Sequence, residues 1–254
     1  MGKFLIDFRD GISAYGYALE IIREQRLWLY IWIPGLMSLL YGAAIISAAV
    51  TWSQPIADWI VSIYPFESGV DVVATISKFA SWLVTGTIGF FLYKYVILVL
   101  VAPFMGPLSE RVESYLRGGS TKSKLSFARV VREVVRGLRI SLRNIVRELF
   151  FTIILLLAGL IPVVGLLSAP ALFFLQAYYA GFGNMDYTME RHLGVRSSAR
   201  LVRRNKGLAV GNGSVFLVVL AVPVVGLFFA PGLATVAGTV ETVSRLAEDR
   251  LLAD

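Results

Sequence analysis

The chain has 254 residues, 57% of them hydrophobic and 16% charged, with a formal net charge of +7 and a mean hydropathy of +0.71. A soluble chain carries about 25% charged residues, so this composition is that of an integral membrane protein. The absence of cysteine excludes disulfides, thiolate metal sites and cysteine nucleophiles, and a single histidine, His192, excludes a multi-histidine metal site.

Residues 1–26 mix apolar and charged side chains. Phe4, Phe8, Ile12, Tyr15, Leu19 and Ile22 recur at helical spacing and predict an amphipathic helix in the membrane interface. Charge running to Arg26 argues against a secretory signal, and Ile6 breaks the myristoylation pattern. Residues 27–52 form the first expected span, with Trp28, Tyr30 and Trp32 as an aromatic belt and Pro34 near its start. Residues 52–78 read as a loop holding one cation, Lys78, against Asp58, Glu67 and Asp71, so the loop is expected to face away from the cytoplasm. Residues 79–109 form the second expected span. It is interrupted by Lys94, read as snorkelling or packed rather than as an ion relay, and broken at its end by Pro103, Gly106 and Pro107.

Residues 110–148 hold ten Lys/Arg and four Glu and are expected to be cytoplasmic helices. Arg132, Arg136, Arg139, Arg143 and Arg147 share one helix face, opposite Val131, Val135, Leu138, Leu142, Ile145 and Leu149. Such a face rests on anionic lipid headgroups or forms a cationic vestibule that concentrates anions.

Two hairpins follow, at 149–185 and 207–240. They share a repeat: IPVVGLLSAP at 161–170 and VPVVGLFFAP at 222–231, identical at seven of ten positions. Each copy has two prolines flanking a glycine, a helix-breaking signal. The arms flanking the first copy, 149–161 and 171–185, reach about 20 Å against a bilayer core of about 30 Å. Re-entrant hairpins are therefore expected, with ordinary tilted pairs as the alternative. Pro170, two residues after Ser168, and Pro231 read as the first residues of the second arms, placing helix N-termini at mid-membrane depth where they favour an anion. The linker 186–206 carries Arg191, Arg196, Arg200, Arg203, Arg204 and Lys206 and is expected to be cytoplasmic, like the tail 241–254. Asp186 reads as a structural ion pair or a gate, and His192 as solvated.

Catalysis finds no motif here: HExxH, the P-loop, GxSxG and paired intramembrane carboxylates are all missing. No cofactor is expected. Nucleic-acid binding would explain the basic helix but not four membrane-inserted segments.

In the order and spacing of several pieces the chain resembles the CysZ sulfate permease family of the etoposide-induced membrane superfamily. The pieces are Ala102-Pro103-Phe104 with Gly106, Leu108, Glu110 and Glu113; Arg147-Glu148; Pro162, Gly165 and Ala169-Pro170; and Asp186-Tyr187. The resemblance runs from the N-terminal helix to near residue 243. It implies a bacterial inner-membrane protein with two long helices and two hemi-penetrating hairpins, assembling as an oligomer and admitting sulfate for cysteine synthesis. The family carries a Gly-Leu-Arg-Arg-like run before the first span, implicated in holding sulfate. Anchored on Pro34, this chain has Arg26-Leu27-Trp28-Leu29 there, so the glycine and both arginines are replaced and Arg26 supplies one cation nearby.

The expected function is passage of sulfate or a related small anion across a membrane facing cytoplasmic termini. Arg26, Arg139, Arg143 and Arg147 attract the anion; Gly165, Ser168, Pro170, Gly226 and Pro231 line its route; Glu148 and Asp186 gate it. A membrane-organising protein binding anionic lipid, or a channel for another small solute, are the alternatives.

Overall fold

The computed structural model describes residues 2–63, 70–119, 127–159, 161–222 and 225–251. Eight helices account for nearly all of them: α1 Gly2–Glu24, α2 Trp28–Ser62, α3 Val70–Leu116, α4 Phe127–Ala158, α5 Pro162–Met189, α6 Val195–Arg204, α7 Lys206–Leu220 and α8 Val225–Leu251. No strand occurs among the described residues, so the all-α expectation holds. Within them, one helix, α2, is long and apolar enough to cross a membrane. The chain divides into two compact units, Met1–Gly35 with Val101–Asp254, and Leu36–Leu100.

In the smaller unit the buried positions are small. Ala49, Ser53 and Ala57 step by four along α2, and Ser77 and Ser81 do the same along α3. Small side chains let helix backbones approach in lipid, where the hydrophobic effect gives helices no reason to associate. Bulky residues such as Trp52, Trp59, Ile76 and Phe79 stay exposed. The expected loop 52–78 is mostly helix, because α2 continues through Pro55 to Ser62 and α3 starts at Val70. Glu67, and the side chain of Lys94, lie outside the described residues.

The larger unit is built around α7. Eight consecutive residues, Gly207 to Ser214, are buried, so the first half of α7 is enclosed on every side. Its small residues permit this. Gly207 and Gly211 lie against the α1 backbone at Phe4 and Phe8, while Ala209 and Gly213 lie against Gly181 and Ala177 of α5. Asn212 cross-links the bundle: its side chain accepts from Asn184 Nδ2 at 2.8 Å and donates to the Ala234 carbonyl at 3.3 Å, and its own carbonyl accepts from Tyr15 Oη at 2.8 Å. At one end, Phe182, Met185, Met189, Leu201, Val202, Leu208 and Leu246 form an apolar core.

α1 therefore docks through Asp7, Gly11, Ala14, Tyr15, Ala18, Ile21 and Ile22. The predicted stripe does not form one buried face: Tyr15 and Ile22 go inward, and Phe4, Ile12 and Leu19 stay exposed. Close approach to α7 selects small residues over large ones.

Two further expectations are corrected. Pro103 and Pro107 do not end α3, which runs on to Leu116. Each proline removes one backbone donor, but Val101, Met105, Leu108 and Val112 form a continuous buried stripe that holds the helix through both. The basic segment and the first hairpin arm are also not separate, since α4 joins them in one 32-residue helix.

The second arms open earlier than the second prolines suggested, α5 eight residues before Pro170 and α8 at Val225, six residues before Pro231. α5 opens at Pro162, capped by an extended Ile161, which is the position where a missing N–H costs least. Pro170 and Pro231 are interior to α5 and α8. What the repeat builds is hairpin closure. A Cβ on Gly165 would sit 2.7 Å from the Gly159 carbonyl, and one on Gly226 would sit 2.4 Å from the Val219 carbonyl. In both copies the glycine lets the second arm cross the end of the first. Ser168 Oγ donates to the Gly165 carbonyl at 2.8 Å, which occupies its hydroxyl within the turn.

Candidate functional site

Four of the expected site residues, Arg143, Arg147, Glu148 and Asp186, fall in one region of the larger unit. Arg143 comes from α4, and its guanidinium lies over the Phe182 ring of α5, 5.8 Å from the centroid. Asp186 is one helical turn beyond Phe182, and Tyr178 one turn before it. Arg147 on α4 and Arg203 on α6 act on Arg143 as like charges, while Asp186 and Tyr178 act on it favourably. Burial, followed by Arg147, pulls the Arg143 guanidinium below its ordinary value. Glu148 and Arg147 act together on Tyr179, so both border the same α5 face.

Donors outnumber acceptors here. Arg143 reaches Asn144 Oδ1 at 3.4 Å, and its Nε is buried without a hydrogen-bond partner. Arg203 gives its Nε to the Ala199 carbonyl at 3.2 Å, one turn back on its own helix. Three guanidiniums thus converge on a surface with two carboxylates. A planar fork of N–H donors matches an oxyanion, and an unpaired buried donor costs free energy until something accepts from it. The arrangement can hold a small oxyanion by charge and by directed hydrogen bonds.

Arg203 and Phe182 were not among the expected site residues. Their signals were present: Arg196, Arg200 and Arg203 step by four and three, and Tyr178, Phe182 and Asp186 step by four. The side chain of Arg139 lies outside the described residues. Arg26 stands apart, exposed in the α1–α2 turn with φ +52°. That left-handed backbone suits glycine, and it falls where the resembling family places its glycine. Arg26→Gly should remove about 1 kcal/mol of backbone strain, read as a slightly higher melting temperature.

A second polar cluster fixes the end of the bundle. Glu113 on α3 accepts from Arg191 Nε at 3.0 Å and Nη2 at 2.8 Å, pairs with Arg117 at 2.8 Å, and meets His192 Nε2 at 2.5 Å. Arg191 also donates to Ser109 Oγ at 2.9 Å, within a triangle of Ser109, Thr188 and Thr239 hydroxyls. His192 is therefore largely buried on a carboxylate, not solvated as expected. Burial alone would raise the Glu113 carboxyl; Arg191 and then His192 overcome this and hold it below the usual range. With its pKa depressed on folding, the pair's stabilisation is present at neutral pH and is lost as pH falls through the carboxylate range. Glu113→Gln should cost roughly 3 kcal/mol at neutral pH. The deficit should shrink in acid, as a melting series across pH would record.

Comparison with known proteins follows this geometry. A family model described as sulfate transporter CysZ/etoposide-induced protein 2.4 matches residues 14–231. A sulfate transporter CysZ of Pseudomonas aeruginosa (strain LESB58) is 28% identical over 234 residues, covering 90% of this chain and 92% of the relative. One from Vibrio cholerae serotype O1 is 25% identical over 232 residues, covering 89% and 90%. One from Pseudomonas fluorescens (strain SBW25) is 31% identical over 149 residues, covering 58% of each.

Proposed function

The chain belongs to the sulfate transporter CysZ/etoposide-induced protein 2.4 family, and from that premise we propose that it is a bacterial inner-membrane permease for sulfate or a related small oxyanion, supplying sulfur assimilation. It works as a homo-oligomer, its termini in the cytoplasm and its surface in contact with membrane lipids. The observation that carries this reading is the half-buried Arg143 guanidinium, its shielded Nε without a partner and Arg147 and Arg203 acting on it as like charges. A sulfate ion offers oxygens in several directions and can accept from more than one fork at once. Arg147 and Glu148 border the entry, and Asp186 competes with the anion for Arg143, which is how a gate would act. Arg26 and the Arg139 face concentrate anions at longer range, and the hairpin turns at Gly165–Pro170 and Gly226–Pro231 flank the route.

Radiolabelled sulfate entry into proteoliposomes, with phosphate and chloride as competitors, tests the reading. Saturable entry that phosphate or chloride reduces only at excess is expected. No flux of any anion, from protein shown to be folded and inserted, would overturn it. The replaced run at 26–29 favours a second reading, a membrane-organising protein whose arginine face binds anionic lipid; that outcome of the flux assay would support it.

A further inference from the structure

α1 and α8 meet along a seam rich in acids. Asp7 and Asp10 come from α1, and Glu241, Arg245 and Glu248 from α8. The Arg245 guanidinium serves three carboxylates: Nη2 donates to Asp7 at 3.0 Å and to Asp10 at 3.3 Å, and Nη1 donates to Glu248 at 2.8 Å. Glu241 lies one helical turn before Arg245, yet none of those donors reaches it. Glu241 is 5% exposed, and both of its carboxylate oxygens are shielded from solvent and without a hydrogen-bond partner. It follows directly on the uncharged run that ends at Val240.

An ionised carboxylate in that position would lack water, donors and a committed cation, and would lie beside two further acids. Desolvating a charge so completely costs more than keeping the proton. We infer that Glu241 is a proton-binding site: it is held as the neutral acid in the α1–α8 seam, and losing its proton loosens α1 from the bundle. A bound metal ion is not the alternative, because no group of three His, Cys, Asp or Glu is placed to hold one among the described residues.

The electrostatics agree. Burial pushes the Glu241 carboxyl well above the usual range; Arg245 opposes this, and Asp10 and Asp7 add to it. The same burial, with Glu241 as a second cause, raises the Tyr15 phenol on α1. Arg245 from α8 and Asp10 and Asp7 from α1 are the titratable groups that act on Glu241, and Tyr15 on α1 feels it in turn; no group of α5 or α7 is among these.

The sign of the effect follows from linkage. The folded protein keeps a proton that the unfolded chain releases above the ordinary carboxylate range. Folding therefore takes up a proton, and the folding constant falls by up to about tenfold for each pH unit from that range up to the raised pKa. Stability from this site is greatest in acid and declines as pH rises, opposite to the Glu113 cluster.

The test uses the full chain in detergent, so it does not depend on transport. Glu241→Gln has the shape of the neutral acid and cannot ionise. Wild type and Glu241→Gln should melt together near pH 5, and the variant should melt higher by about 3 °C or more near pH 8. Asp10→Asn, which removes one of the neighbouring negative charges, should weaken the wild-type pH dependence without abolishing it. Independently of any variant, wild-type protein at neutral pH should show the infrared carbonyl band of a buried carboxylic acid, bleaching as pH rises. Parallel melting curves for wild type and Glu241→Gln at all pH values would overturn the inference. So would the absence of that band at neutral pH, which remains decisive if the variant fails to fold. Loss of sulfate flux with both signatures intact would count against the permease and leave the proton site standing.

Discussion

Arg143→Gln should lower the initial rate of the proposed sulfate uptake about tenfold, the expected consequence of removing one charge-assisted hydrogen-bonding group from the anion, with the amount of protein in the membrane unchanged. Glutamine keeps two donors and most of the side-chain length, so the loss reports the charge and the fork. Arg143→Lys should recover part of the rate, because an ammonium restores charge without the planar pair of donors. The substitution should not destabilise the fold. Arg143 is half-buried, its neighbours Arg147 and Arg203 repel it, and its Nε is unpaired; removing it relieves a cost. A residue kept at some expense to the resting structure is one whose partner arrives later. Raising salt should slow the wild type and Arg143→Gln by similar factors, since exposed Arg147, present in both, acts through a screened field and Arg143 through contact. Unchanged uptake in Arg143→Gln would reduce the α4 face to a lipid contact.

How far the sequence reaches is visible in the repeat. Its two copies announced two hairpins, and the structure has helix ends at both. But each copy offers two prolines, and both satisfy the local rule for starting a helix. In the first copy only the close approach of Gly165 to Gly159 decides for the earlier one, and in both copies, with Gly226 against Val219 in the second, such an approach exists only once the chain has turned back. The arginine face was likewise legible as a face. That Arg143, over the Phe182 ring, feels Arg203 as well as Arg147 depends on α6 folding back onto the end of α5, which no periodicity encodes. Glu113 and Arg191 are far apart in sequence, and a lone glutamate after a span reads as topology. Glu241 looked like the first charge of a tail, because burial of a helix end is a property of its neighbours. The small residues of α7 were the signal most open to reading: Gly207 and Gly211, and Ala209 and Gly213, are two small pairs at a spacing of four within an uncharged run, which is the pattern of a helix packed on two sides.

Gly213→Leu should leave almost no folded protein, and this is the largest effect on stability expected anywhere in the chain. A Cβ at Gly213 would stand 1.8 Å from the Ala177 carbonyl oxygen, 2.6 Å from its carbon and 2.8 Å from the Gly181 nitrogen. All three are backbone atoms of α5, so no rotamer change can make room. α7 would have to withdraw from α5. It cannot shift freely toward α1, because a Cβ on Gly211 would already stand 2.3 Å from the Phe8 carbonyl. Separation would also break the 2.8 Å bond between Asn184 and Asn212 and leave a buried amide unpaired. Overpacking costs typically 1–3 kcal/mol and more where backbone must move; adding an orphaned amide brings the total to about 4 kcal/mol or more, a large part of the stability of a domain. Gly183→Ala is the matched control on α5. A Cβ there meets nothing within 4 Å, and alanine gains up to about 1 kcal/mol of helix propensity over glycine, so this variant should melt at or above the wild-type temperature. Because α7 carries no charged residue after Lys206, uptake per folded molecule should be unaltered in any variant of this contact that still folds and reaches the membrane. A fall in specific uptake without loss of folded protein would mean that the packing of α7 on α5 sets the anion route itself and not only the fold that carries it.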